Sequence, residues 1–159
     1  LSKAAIVSRL FFVRKLTFHS CFVNEAVQNN CPMTNIFILA AAINGFLSVA
    51  LGAFAAHALK NIIEADLLTT FQTGVQYHIT HSLALFGIAI LTLHAPNSMP
   101  LKISGYMFIA GILFFSGSLY ILSITGIRWL GAITPIGGVC FLIAWGCLCW
   151  FALNTRLPI

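Results

Sequence analysis

Residues 34–59 read TNIFILAAAINGFLSVALGAFAAHAL, a run without Asp, Glu, Lys or Arg. At about 1.5 Å per helical residue it is long enough to cross the ~30 Å hydrocarbon core of a bilayer. Its apolar residues are continuous rather than alternating, so the run reads as a helix and not as a barrel strand. Three more runs of this kind follow, at 75–94 (VQYHITHSLALFGIAILTLH), 101–124 and 130–153.

Composition agrees with that reading. The chain has 159 residues, 60% hydrophobic and 7% charged, with a mean hydropathy of +0.99. Soluble domains carry about 25% charged residues. The expected fold is therefore an all-α integral membrane protein: four transmembrane helices in an antiparallel, up-down bundle. Between the first two spans, KNIIEADLLTTFQTG (60–74) places Ile62, Ile63, Leu67, Leu68 and Phe71 at helical spacing. This pattern predicts a short separate helix lying in the interface. APNSMP (95–100) is a turn cluster, and TGIRW (125–129) is a tighter one.

The net charge of +5 does not point to nucleic acid. Lys3, Arg9, Arg14 and Lys15 fall in the first fifteen positions, and the other cations stand singly at span ends or loops. Residues 1–32 form a basic, acid-poor extension that departs from the rest. Three readings fit it: upstream sequence read in frame with Met33 as the start, a mitochondrial presequence, or an amphipathic interfacial helix. The first is favoured. Residues 33–153 then form the membrane domain and 154–159 a C-terminal tail. Even span number puts both ends on one side, with Lys102, Arg156 and the N-terminal cations facing Lys60 and Arg128 across the membrane. The extension makes that side internal; without it the charges balance.

Cys140, Cys147 and Cys149 lie in an apolar run and read as buried thiols; Cys21 and Cys31 fall in the extension. No metal site is expected.

On the first span Ala40, Asn44, Ser48, Gly52 and Ala56 recur four apart, a row that lets another helix approach closely. Asn44 needs a polar partner, either a neighbouring helix or a ligand. YHITH puts Tyr77, His78 and His81 at the head of the second span, at the membrane level of His57. Three imidazoles there can hold a metal or haem, relay protons, or keep a polar tip wet. In SGSLYILSITGIRWLGAITPIGG (116–138), Ser116 and Tyr120 share a face, beside Ser118. Thr134 is placed to cap the fourth span and Pro135 to begin it, while Gly117, Gly137 and Gly138 permit close approach. No nucleophile–base pair, phosphate loop or paired carboxylate is present, and the expectation is a protein that is not an enzyme and takes no cofactor.

LGAFAAHAL (51–59), FQTGVQYHITHSLAL (71–85), FSGSLYILSITG (115–126) and ITPIGGVCFLIAW (133–145) resemble one family in order. It is the small inner-membrane family grouped as domain of unknown function 423, typified by bacterial YgdD and YwdK and by human transmembrane protein 256. The resemblance covers Met33 to about Trp150 and implies a four-helix membrane protein. Two positions depart from the family pattern: Ala55 stands where it has Gly, and His78 where it has Gln. A polar site drawn with the pattern contains Asn44, His57, Tyr77, His81, Ser116, Ser118 and Tyr120. Ser48, Gly52, Gly117, Pro135, Gly137 and Gly138 form the packing set. The resemblance carries no activity, substrate or cofactor. The expected role is helix packing, by self-association or within a larger membrane complex, with lipid as the constant partner. The alternative is a small-molecule or proton site. The expected location is the bacterial inner membrane, or alternatively a mitochondrial membrane.

Overall fold

α1 (Pro32–His57) opens on a proline, whose fixed φ and missing N–H suit the first helical position. A 3₁₀ turn, Leu59–Asn61, ends this first span. α2 (Ala65–His94) follows without interruption. α3 (Met99–Gly111), a single π-turn (Ile112–Ser116) and α4 (Gly117–Thr125) form one continuous third span. A 3₁₀ turn at Arg128–Ala132 leads into α5 (Thr134–Asn154). The computed structural model describes residues 32–155, so the readings of residues 1–31 and of Arg156 lie outside the described residues. Among those described there is no strand, and four helical spans are long and apolar enough to cross a membrane.

The separate interfacial helix expected at 60–74 is not there. Residues 65–74 are the first turns of α2, and after the turn at Leu59–Asn61 only residues 62–64 link the two spans. The apolar residues Leu68, Phe71 and Val75 continue one helical face straight into His78 and Ser82, and nothing breaks it. Thr69, Thr70 and Thr73 lie on the exposed side, where each hydroxyl donates to the carbonyl four residues back. Their polarity imitates an interface segment in sequence while leaving the helix intact.

α1 packs along α2, α2 along α3, the π-turn and α4, and α3 along α5. Neighbouring spans run antiparallel: Thr34 meets Thr92 at one end, and Gly52 meets Val75 toward the other. Phe37, Leu85, Ile88, Leu101, Phe108 and Phe141 make up the larger apolar core; Ala55, Leu59 and Phe71 make a smaller one. In a membrane, such contacts stabilise through close packing rather than escape from water. The closest approach of helix to backbone is between α5 and the π-turn, where a methyl group on Gly137 would run into the backbone N of Phe115.

The third span ends at Gly126, whose φ of 71° lies in the left-handed region and whose N–H donates to Leu122 O at 2.8 Å. A Cβ there costs about 1–2 kcal/mol. Gly126→Ala should therefore lower the thermal midpoint of the solubilised protein, and Gly126→Asn should lower it less. Thr134 does not cap α5 as expected. Ile133 occupies the cap position without a side-chain bond, and the Thr134 hydroxyl is engaged with Ser118 on α4.

Candidate functional site

His78 and His81 lie near the middle of α2, between Asp66 in its first turn and His94 in its last. The expected level with His57 does not hold, because α2 begins about three turns earlier than the apolar run suggested. His57 stays exposed at the end of α1. Among the described residues no three of His, Cys, Asp and Glu gather closely enough to hold a metal ion.

His78 is buried and joins three helices. Its Nε2 lies 3.0 Å from Asn44 Oδ1 on α1, and its Nδ1 lies 3.1 Å from the Tyr120 hydroxyl on α4. Asn44 Nδ2 donates to Ala40 O at 2.7 Å, which fixes Oδ1 as the atom facing the ring. Oδ1 can only accept, so Nε2 carries the proton and Nδ1 accepts from Tyr120. The donors run one way: Tyr120 to His78, His78 to Asn44, Asn44 to a peptide carbonyl. That carbonyl has no proton to hand on. This arrangement clamps α1, α2 and α4 together.

Some other hydroxyls also tie helices together. Thr92 donates to Ala89 O, leaving Thr34 to donate to Thr92 at 3.0 Å and tie α1 to α2. Ser104 donates to Ala144 O at 2.9 Å between α3 and α5. Ser118 donates to Phe115 O, and Thr134 then donates to Ser118 at 3.0 Å. Ser48 bonds within α1, to Gly45 O.

Ser116 differs. It is fully buried, and its Oγ has no hydrogen-bond partner among the described residues. Ser82 and Ser123 donate to the carbonyl four residues back. For Ser116 that acceptor is Ile112 O, which the π-turn gives instead to the N–H of Gly117, five residues on.

His81 belongs to a second arrangement. Its Nδ1 donates to Tyr77 O at 2.8 Å, and its ring lies flat on Phe141 of α5, centroids 3.5 Å apart and 9° from parallel. Tyr77 stacks on Phe115 of the π-turn at 4.3 Å and 26°. Trp145 meets the His81 ring edge-on at 6.4 Å. Gln76, Tyr77, Thr80 and His81 line an open cleft of about 410 Å³ beside these rings.

Of the polar residues read from sequence, Asn44 and Tyr120 are thus joined through His78, and Tyr77 neighbours His81. Ser116 and Ser118 face different surroundings, and His57 stands apart. Within the packing set, Gly137 is buried against Phe115, and a Cβ on Gly52 would lie 3.3 Å from Val75 Cγ1. A Cβ on Gly117 or Gly138 would meet nothing within 4 Å, and Pro135 is exposed. Sequence reasoning named His78 beside Tyr77 and His81 but left it out of the polar site, because the family pattern has Gln there; the structure joins it to Asn44 and Tyr120. Gly105 and Gly111, which make room for the rings of Phe37 and Phe141, were also missed.

The sequence profile of the family described as "Protein of unknown function (DUF423)" matches residues 51–138. The chain is 50% identical over 110 residues to the "UPF0382 membrane protein YwdK" of Bacillus subtilis (strain 168), covering 69% of this chain and 89% of that protein. It is 40% identical over 124 residues to a "UPF0382 membrane protein" of Haemophilus influenzae, covering 78% and 98%. It is also 40% identical over 125 residues to the "UPF0382 inner membrane protein YgdD" of Escherichia coli (strain K12), covering 78% and 95%. No solved structure matches the chain. With its four apolar spans, its profile match and relatives covered over most of their length, this chain is an integral membrane protein of the DUF423/UPF0382 family.

Proposed function

We propose that the protein is a non-enzymatic helix-packing unit of the bacterial inner membrane that pairs with a second copy of itself through the outer face of α1. The inner membrane is where the YgdD relative resides. One observation carries the pairing. Phe46 projects from α1 at 74% exposure, next to a groove of about 390 Å³ between α1 and α2 lined by Ala41, Ala42, Gly45, Val49, Ser82 and Phe86, among others. Knob and hole lie on the same face, as a two-fold interface requires, since one surface must be its own complement. Small residues beside the groove let the two backbones come close, the main source of helix association in lipid. The internal polar side chains support the non-enzymatic reading from the other side: Asn44, His78, Tyr120, Ser104, Ser118 and Thr134 are all engaged in holding helices together.

Gly45 is the position to test, because a Cβ there meets nothing within 4 Å and a larger side chain fills only the groove. In lipid nanodiscs or by cross-linking in membranes, Gly45→Leu and Phe46→Ala are each expected to shift the protein from dimer to monomer with its helix content preserved, the thermal midpoint falling only to that of the wild-type monomer. A dimer unaffected by both substitutions overturns the proposal, as does a wild-type protein that is monomeric in lipid.

A further inference from the structure

The cleft of Gln76, Tyr77, Thr80 and His81 has the chemistry of a binding site, and it shares no lining residue with the α1–α2 groove. It opens beside the middle of α2, far from the charged ends of that helix. Three of its polar groups have no partner among the described residues: the Gln76 amide, the Tyr77 hydroxyl and His81 Nε2. The first two side chains are exposed, Tyr77 by 41%. Nε2 is not sealed in the core either, since Ser116 Oγ is the sole buried side-chain atom without a partner among the described residues. Unpaired polar groups at this depth are costly in hydrocarbon, where no water satisfies them.

The chemistry of the three groups defines what satisfies them. Nδ1 of His81 is committed as donor to Tyr77 O, so in the neutral ring Nε2 presents a lone pair. The Tyr77 hydroxyl and the Gln76 amide each donate and accept. Thr80 uses its own proton on Gln76 O at 2.8 Å and keeps only acceptor capacity. The wall is flat and aromatic: the rings of Tyr77, Phe115, His81 and Phe141 lie within 9–28° of parallel where they stack. Among the described residues no carboxylate, Lys or Arg borders the cleft, which disfavours a charged headgroup.

We infer that this cleft binds the head of a neutral, membrane-dissolved hydroxylated aromatic molecule, a phenol or hydroquinone carrying a lipid tail. One ring hydroxyl donates to His81 Nε2, a second oxygen accepts from Gln76 or Tyr77, and the ring lies along the exposed edge of the aromatic stack. The tail leaves directly into the bilayer, because the cleft is open toward it. The inference concerns binding alone and no electron transfer is part of it.

The test uses the full chain in nanodiscs with decyl-hydroquinone as probe and two controls: decanol, which has a hydroxyl and no ring, and a dioctanoyl glycerol, a neutral hydroxyl lipid without a ring. Saturable quenching of tryptophan fluorescence reports binding, with Trp145 placed beside His81. The hydroquinone should saturate and both controls should not. His81→Phe keeps the stacked ring and removes the acceptor; Gln76→Leu removes the amide. Each is expected to weaken the hydroquinone about tenfold, the scale of one good hydrogen bond, with helix content and thermal midpoint preserved. Equal affinity for wild type and both variants overturns the inference, and so does equal binding of the glycerolipid or decanol. A Gln76→Leu protein that changes from dimer to monomer would show that a second copy fills the cleft, and this too overturns it. Because Gly45 and Phe46 border the other groove, failure here and failure of the pairing proposal are read from different variants.

Discussion

Replacing Gly137 with leucine is expected to abolish the folded bundle, and even Gly137→Ala should destabilise it by about 3 kcal/mol, the upper range for overpacking. The cause is the identity of the neighbour. A Cβ at this position runs into the Phe115 backbone, which is held in the π-turn and cannot rotate aside as a side chain would. α5 would have to move outward, pulling Ser104 from Ala144 O and Thr134 from Ser118. Gly138→Ala is the matched control. It adds the same methyl one residue along, meets nothing within 4 Å, and should stabilise by up to about 1 kcal/mol through helix propensity. Thermal or SDS-induced unfolding of the purified protein would measure both. Equal midpoints for the two alanine variants would contradict the packing described for α5.

His78→Leu is expected to cost about 2 kcal/mol. It removes two hydrogen bonds and strands both Asn44 Oδ1 and the Tyr120 hydroxyl between helices. The figure is held down because polar groups in a membrane also find partners in the unfolded state. His78→Gln should recover much of the loss: its amide N–H can donate to Asn44 while its oxygen accepts from Tyr120. A cycle with Asn44→Ala and Tyr120→Phe should be non-additive, since both partners meet the one ring. An unfolding midpoint for His78→Leu equal to wild type would remove the clamp from the account.

The spans were legible because their evidence is local. Length, continuous apolarity and the turn residues around Asn97 and Gly126 set four helices, and the family motifs lie along them. What escaped is non-local or hidden by composition. The start of α2 was misplaced because exposed threonines at 69, 70 and 73 resemble an interface segment, although their hydroxyls are satisfied inside the helix. That error set His57 level with His78 and His81. His78 itself was left out of the site because the family pattern has Gln there, and its partners, 34 and 42 residues away in sequence, lie beyond the reach of any periodicity that could have restored it. Gly105 and Gly111 carry no mark in sequence of the rings they admit. Tyr77 and His81, by contrast, were drawn from the YHITH motif together with the family pattern, and one helical turn brings them onto one face.

The π-turn at Ile112–Ser116 sets the phase of everything after it. An α-helix turns by about 100° per residue, so one residue accommodated in a wider turn rotates α4 relative to a straight continuation of α3. In the phase it has, α3 presents Ser104 and Gly111 to α5, while α4 presents Tyr120 to His78. A regular α-helix through the same residues 112–116 would have the same hydropathy and still cross the bilayer. It would nonetheless swing every later side chain by roughly a quarter-turn, taking Tyr120 from His78 and Ser118 from Thr134 together. For this span, residue count is a form of address: the same letters shifted by one would deliver each face to the wrong neighbour.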